Sequence, residues 1–233
     1  MIKAPLEFFI GLRYTRSRRR DSFVSFISLI SMLGIVIGVW ALITVLSVMN
    51  GFEKELRERI LTIASHVTIT GKEGQLSDWP RLVERVSVLP EVTAAAPYIH
   101  AQGMLAKGNA TAGVLLRGIV VPNERGVSDI FEHLKVGTLD QFEGKKWQII
   151  LGSELARKLD VEVGEKVTVI APQGTISIAG MLPRLKRFTV SAIFELGMYE
   201  YDSTLGIIPI DSAAELFRTK GMITGVRLAL DDV

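Results

Sequence analysis

The sequence contains no cysteine. Disulfide scaffolds, zinc fingers and thiol enzymes all depend on cysteine, so these classes are excluded together. The usual catalytic and nucleotide-binding motifs are also missing: there is no G-x-x-x-x-G-K-[ST], no G-x-S-x-G, no H-E-x-x-H and no dinucleotide fingerprint. The histidines, His66, His100 and His133, are far apart in the sequence and match no metal-ligand spacing. We therefore expect neither a cofactor nor catalysis in this chain.

Charge is absent from one long stretch. Residues 22–52 are 31 positions without an acidic or basic side chain. A helix of that length spans roughly 45 Å, against about 30 Å for the hydrocarbon core of a bilayer. We therefore expect a transmembrane helix whose end projects beyond the membrane. A signal peptide would have a shorter apolar core and a small-residue cleavage pattern, which the following VLSVMNGFEKELRERI lacks.

The flanking charges predict the orientation of this helix. Residues 1–21 hold six basic and two acidic side chains, a net charge of +4, whereas the whole chain carries +2. Residues 53–233 therefore carry −2, which argues against a nucleic-acid-binding surface. Because positive flanks stay in the cytoplasm, we expect residues 1–21, with a short interfacial helix, inside the cell. Residues 53–233 would then lie in the periplasm of a bacterium with an inner and an outer membrane.

The middle and the outer end of the predicted span carry different side chains. Small residues recur at three- and four-residue steps, among them Ser31, Gly34 and Gly38, a pattern that is typical of close helix packing in lipid. Apolar residues share a face near the outer end: Val45, Val48, Met49 and Phe52. These four either contact lipid tails or line a cavity for an acyl chain, and periodicity leaves both interpretations open.

From about residue 66 the pattern changes to short strands and helices. Strands are predicted over HVTITG, VTAAAPYIHAQGMLAKG, ATAGVLLRGIVV, WQIILG, STLGIIPI and MITGVRLAL. Helices are predicted over SDWPRLVERVSVLP, NERGVSDIFEHL, SELARKLD and DSAAELFRTK. The expected fold class is α+β, with an N-terminal transmembrane helix followed by a mixed α/β domain.

One connection within this domain is unusually long. The strand-like runs EKVTVI and RFTVSAIF are separated by about a dozen residues, whereas hairpin loops usually need two to five. We predict a loop from Pro172 to Pro183 that presents apolar side chains, followed by a basic run that would steer a partner with an acidic rim. The members of this candidate binding surface are Pro172, Gly174, Ile176, Ile178, Met181, Leu182, Pro183, Arg184, Lys186 and Arg187. The alternative is a long loop folded onto its own domain.

Several stretches resemble one known family. FIGLRYTRSRRR followed by VLSVMNGFEKEL resembles the opening of the membrane subunits of the lipoprotein-releasing (Lol) ABC transporter of Gram-negative bacteria. IILGSELARKLDVEVGEKVTVIAP resembles the extracytoplasmic domain of the wider mechanotransmitting ABC superfamily. AGMLPRLKRFTVSAIFELGMYEYDS resembles the C-type Lol subunit, whose loop at this position captures the periplasmic lipoprotein chaperone.

The resemblance implies a fold and a role. The outer domain would be a two-lobed, MacB-like periplasmic domain, followed in the family by three more transmembrane helices, so this chain is expected to be the N-terminal part of a longer subunit. It would pair with a second Lol-type membrane subunit and with a dimer of cytoplasmic ATPases, which would hydrolyse the ATP. The complex would extract lipoproteins from the inner membrane. Residues 172–187 would form the chaperone-binding hook, and the face from Val45 to Phe52 would line the pocket for the cargo's acyl chains.

Two other functions remain open at this point. A related subunit of the same superfamily would serve macrolide or peptide export, or the regulation of cell division. The hook-like segment and the VMNGFE stretch favour the Lol subunits over these relatives. A single-span protein that binds a periplasmic partner through its outer domain is the other alternative, and further apolar spans beyond Val233 would argue against it.

Overall fold

The computed structural model describes Ile10, Arg13 and residues 22–63, 67–177 and 180–231. The chain divides into two compact units, residues 1–56 and residues 57–233. A single helix of 42 residues, α1 (Ser22–Ile63), contains the expected span. Its apolar section, Phe26–Glu53, is long enough to cross a membrane. The helix continues past Phe52 because GFEKELRERILTI keeps a helical period with no Pro and no helix-ending glycine.

The unit of residues 57–233 is a mixed α/β domain. Its described strands form one sheet of nine: β1 (Val67–Thr70), β2 (Val92–Lys107), β3 (Ala110–Ile119), β4 (Leu134–Gly137), β5 (Gln148–Gly152), β6 (Lys166–Ser177), β7 (Gly180–Phe194), β8 (Leu205–Pro209) and β9 (Gly225–Leu230). Its described α-helices are α2 (Trp79–Val86), α3 (Val121–Glu124), α4 (Ser153–Leu159), α5 (Tyr199–Thr204) and α6 (Ile210–Phe217). Short 3-10 helices cover Lys72–Gly74, Ile130–His133 and Leu139–Gln141.

Six of these strands close on one another. β2 pairs with β3 along one side; on its other side it pairs first with β9 and then with β6. β6 pairs with β7, and β7 leads through β5 and β8 back to β3. β1 lies outside β9, and β4 lies at the far edge on β7. The long strand β2 therefore connects the open part of the sheet to its closed part.

The two faces of the sheet carry separate hydrophobic cores. Neighbouring residues of a strand point to opposite faces, so in β5 Ile149 and Leu151 belong to the larger core and Ile150 to the smaller one. Residues of α4 and α6 complete the larger core, and Phe142 and Phe194 are fully buried in the smaller one. Residues 57–233 form one compact unit around this sheet, and the two lobes that the family resemblance implies stay a prediction.

The predicted helix over NERGVSDIFEHL is wrong in extent. The structure has the short helix α3 and the separate 3-10 turn Ile130–His133 in its place. Gly126 explains the break, because a Cβ at this position would lie 2.6 Å from the Cβ of Ala94. The chain passes so close to β2 here that packing, and not helix propensity, sets the backbone path.

Candidate functional site

The segment between β6 and β7 is a hairpin and not a long loop. Strand pairing continues past the expected loop start to Thr175–Leu182, Ile176–Met181 and Ser177–Gly180, so only residues 178 and 179 connect the strands. The prediction of a dozen-residue loop is therefore wrong. Polar and apolar residues alternate around Ile176, and this pattern favours continued strand pairing. The two prolines indicated a loop instead, so the sequence did not reveal the pairing. Ile178 lies outside the described residues.

The prolines mark an irregularity in this hairpin. Between the Ala171–Arg184 and Thr175–Leu182 pairs the register shifts, because β6 has three intervening residues and β7 has one. The extra residues include Pro172 and Gly174, and the single residue opposite is Pro183. Proline has no N–H to donate, so it fits a bulge better than a regular ladder. The bulge divides the hairpin into a base and a distal part, which we call the arm (residues 172–183).

Described strand pairing of the arm occurs only within the arm itself. The pairing of β6 with β2 ends at Ile170, and that of β5 with β7 begins at Thr189. Beyond these points the two strands form a two-stranded ribbon. Such ribbons have little stability of their own in water. The arm is therefore a segment that gains stability when another surface covers it.

Two of the predicted basic residues contact the domain itself. Arg184 is half-buried and its Nη1 donates a hydrogen bond to the carbonyl oxygen of Leu216, at the end of α6, over 3.1 Å. The Nζ of Lys186 lies 3.9 Å from the ring centroid of Trp147, a cation–π contact. The Trp147 ring in turn packs edge-to-face on Phe188, with centroids 5.3 Å apart. Arg184 and Lys186 thus anchor the base of the hairpin.

The outward face of β7 carries the remaining predicted residues of the hairpin base. Pro183 and Arg187 are exposed, and Leu185 between them is 61% exposed. Leu185 pairs with Ile170 of β6, and Ile170 pairs with Met104 of β2, which is 46% exposed. These three residues form an apolar row across three strands.

Sequence reasoning missed all three members of this row, Met104, Ile170 and Leu185. The signal for Leu185 was present in PRLKRF, where alternation puts the leucine and its basic neighbours on opposite faces. Met104 could not be found in this way, because it joins the row only through the pairing of β2 with β6.

The predicted residues of α1 are exposed like the rest of the helix. Every residue from Phe26 to Phe52 is exposed, so exposure does not distinguish Val45, Val48, Met49 and Phe52, and their contact with lipid or an acyl chain stays a prediction. Gly34 and Gly38 have no heavy atom within 4 Å of where a Cβ would stand, and Ser31 is exposed as well. Within α1, the small-residue stripe and the apolar face are thus both open to a neighbour.

The domain also buries a charge cluster. Glu124 forms an ion pair with Arg227, and both side chains are almost fully buried. Burial and the charge of Arg227 lower the pKa of the nearby Arg117 to about 10, against an opposing effect of Glu124. Arg117 Nη1 and Glu124 Oε2 are buried atoms without a hydrogen-bond partner among the described residues. The cluster fastens α3 to the sheet.

No geometry for metal chemistry is found in the described part of the chain, where no three His, Cys, Asp or Glu side chains are placed to hold a metal ion. His100 and His133 lie in different parts of the domain, and His66 lies outside the described residues. The arm and its apolar row are the features of the described domain that are best suited to binding a partner.

Comparison with known proteins gives one family match and a consistent set of relatives. The profile of the MacB-like periplasmic core domain matches residues 28–232. The chain is 43% identical over 229 residues to the lipoprotein-releasing system transmembrane protein LolC of Xylella fastidiosa (strain 9a5c), covering 98% of this chain and 55% of that protein. It is 32% identical over 232 residues to the lipoprotein-releasing system transmembrane protein LolE of Haemophilus influenzae, covering 97% and 55%. The chain thus spans about half the length of these curated relatives.

Among solved structures, the periplasmic region of MacB from Actinobacillus actinomycetemcomitans matches with a TM-score of 0.44 and 17% sequence identity. The alignment covers 72% of this chain and 68% of that one.

Proposed function

Because this chain belongs to the MacB-like periplasmic core domain family, we propose that it is the N-terminal part of a membrane subunit of a lipoprotein-releasing ABC transporter. The relatives named LolC and LolE carry that function in their names and align with nearly the whole chain. In this proposal α1 crosses the inner membrane with residues 1–21 in the cytoplasm, because basic flanks stay inside. The sheet domain then lies in the periplasm.

The arm is the observation that carries this proposal. It is a two-stranded ribbon beyond the last pairings with β2 and β5, and an apolar row lies at its base. We propose that it captures a soluble periplasmic carrier of lipoproteins. Covering the row of Met104, Ile170 and Leu185 would remove apolar surface from water, and the carrier would stabilise a ribbon that is weak alone.

The basic residues next to the arm have different parts in this capture. Arg187 is exposed and free to attract an acidic rim on the carrier, which raises the association rate. Arg184 and Lys186 are held by Leu216 and Trp147, so they fix the direction in which the arm leaves the domain.

Two sections of one face of α1 fit the same function. The stripe of Ser31, Gly34 and Gly38 would pack against a helix of the second membrane subunit. The apolar section from Val45 to Phe52, nearer the outer end of the helix, would line the path of the cargo's acyl chains, where apolar contact suits many cargoes. ATP hydrolysis would belong to a separate dimer of cytoplasmic ATPases.

A binding experiment tests the arm. The full chain, purified in detergent, is titrated with the soluble lipoprotein carrier of the same organism. Leu185→Asp and Met181→Asp are expected to weaken binding at least about tenfold, since a buried carboxylate without a partner is costly. The matched control is Val88→Asp, because Val88 is 80% exposed on a different part of the domain. Unchanged binding in both the Leu185→Asp and the Met181→Asp variants would refute the docking surface.

The orientation needs its own experiment. Since the chain has no cysteine, a single Gln75→Cys variant reports the location of the domain through a membrane-impermeant maleimide. Labelling of intact spheroplasts is expected, and labelling only after lysis would overturn the periplasmic location. If the domain is periplasmic but does not bind the carrier, the result would instead favour a function in export, in the regulation of cell division or in binding another partner.

A further inference from the structure

β2 lacks a strand neighbour over part of its length. On the side away from β3 it pairs with β9 as far as Tyr98 and with β6 from Met104 onward. Among the strands that the structure describes, none pairs with residues 99–103 on that side. Gly103 marks the narrow end of this gap, because a Cβ there would lie 2.9 Å from the carbonyl oxygen of Ile170. The sheet therefore has an opening between β9 and β6.

A cavity of about 330 Å³, which we call the slot, adjoins the end of this opening that is nearer β9. Its described walls are Ile99–Ala101 of β2, Gly74 and Gln75, and residues 217–219 and 222–224 of the connection between α6 and β9. Ligand sites usually measure about 300–1,000 Å³. The slot therefore has room for a few residues of extended chain and excludes a folded element.

The described lining of the slot carries one cation, since Arg218 lines it and none of the described residues that line it is Asp or Glu. Burial, with a smaller effect of Arg117, lowers the pKa of His100, so that His100 is neutral at neutral pH and Arg218 supplies the charge. The hydroxyl oxygen of Thr219 is buried and has no hydrogen-bond partner among the described residues. The lining thus complements an anionic group.

The backbone of β2 at the slot already bonds to a side chain in place of a strand. The N–H of His100 donates to the hydroxyl oxygen of Thr224 over 2.9 Å, just beyond the last regular pairing with β9. Because backbone groups alternate in direction along a strand, the backbone groups of Gln102 face the same side as those of His100. Apart from the His100 N–H, this edge of β2 has no described strand partner over residues 99–103, and such an edge accepts an added strand.

We propose that the slot binds an extended peptide segment of a partner protein, with a carboxylate side chain of that segment at Arg218. The segment would lie along residues 99–103 of β2 as a short added strand. This inference goes beyond the proposed function, because the slot is separate from the arm and its apolar row. The two sites meet at the end of α6, where Leu216 accepts the hydrogen bond from Arg184 and Arg218 lines the slot, and at Gly103, which lies against Ile170 of the row.

Peptide binding to the full chain in detergent tests the slot. The probe is a capped pentapeptide of alternating threonine and valine with a central glutamate, and the comparison peptide has glutamine at that position. We expect the glutamate peptide to bind about tenfold more tightly, as for a hydrogen bond to a charged group. Amide hydrogen exchange of residues 98–104 is expected to slow when it binds.

Two variants locate the site. Arg218 has a φ of +52°, so Arg218→Asn is chosen because asparagine tolerates this conformation. It is expected to abolish the tenfold preference, whereas Arg81→Asn on the exposed face of α2 keeps it. Gln75→Trp at the mouth of the slot is expected to reduce binding of both peptides.

Three results would overturn the inference. One is exchange at residues 98–104 that stays unchanged with bound peptide. Another is an Arg218→Asn variant with the full preference. The third is equal protection by acetate alone, which would make the slot a site for a small anion. Carrier binding by the Leu185→Asp variant is measured in parallel, so failure of the slot and failure of the arm are separate results.

Discussion

α1 and the sheet domain are both rich in large apolar side chains, but they place them in opposite environments. Phe26 in α1 is 59% exposed, whereas Phe188 in β7 is fully buried. Apolar residues occupy every side of α1, so no face could be turned away from water, and the helix needs a lipid solvent. In the domain, other elements cover such residues: buried positions alternate with less buried ones in β3, and both faces of β5 are covered by the two hydrophobic cores. Whether packing partners cover the apolar residues, more than their number, decides which solvent a segment requires.

The strongest test of this contrast replaces one phenylalanine in each region by alanine. Phe188→Ala is expected to lower the free energy of unfolding of the domain by about 3–5 kcal/mol, because it leaves a cavity in a closed core. Phe26→Ala, measured in the same chemical denaturation experiment in detergent, is expected to leave domain unfolding unchanged. Equal effects of the two substitutions would mean that α1 and the domain do not differ as described.

The second test addresses charge, which α1 lacks between residues 22 and 52 and the domain buries. Glu124→Gln is expected to destabilise the domain by about 3 kcal/mol, because it leaves the buried Arg227 without that carboxylate. Glu154→Gln breaks the exposed pair with Arg157 and is expected to destabilise the domain far less, because solvent screens an exposed ion pair. Similar thermal shifts for both variants would contradict the burial of the Glu124 pair.

A third substitution puts charge into α1. Leu42→Arg, near the middle of the apolar section, is expected to disfavour membrane insertion by about 2.5–3.5 kcal/mol. The insertion efficiency of α1 can be measured in a translocation assay, with Leu42→Ala as the control for lost apolar surface. Insertion of the arginine variant at the wild-type level would indicate that α1 is not a span.

The smallest expected effect depends on pH. The pKa of His100 in the folded domain is below its ordinary value of 6.5, mainly through burial. The unfolded chain therefore binds more protons at mildly acidic pH, and the stability from neutral His100 is present above about pH 6.5 and lost below it. Between about pH 7.5 and 5.5 the Tm of the wild type is expected to fall slightly more than that of His100→Gln. Identical slopes would exclude this contribution.

The parts of the fold that could be predicted are those set by local pattern. α1 follows from its uncharged length, and β2 and β3 follow from alternation around the KGNA turn, where Gly108 takes a positive φ. The arm could be located but not described. Pro172 and Pro183 indicated a loop, whereas the structure places them at a bulge within two continuing strands.

What remained out of reach depends on pairings between distant residues. Glu124 and Arg227 are 103 positions apart, and nothing near either residue signals the other. The closure of β2 onto β6 is similar, because it rests on three residue pairs and yet creates both the apolar row and the slot. The sequence predicted that Arg184 would steer an acidic partner. It does not show that the carbonyl oxygen of Leu216 lies beside Arg184 and accepts its hydrogen bond.

The pairing of β1 with β9 determines how the domain responds to mechanical load. β1 begins at Val67, which lies opposite Leu228, close to where β9 ends at Leu230. Tension between the start of β1 and the end of β9 would therefore open the β1–β9 ladder one residue pair at a time. It would not shear all four pairs at once. β1 becomes a weak mechanical link that can detach and re-form while the closed ring of strands, with the arm and the slot, keeps its shape.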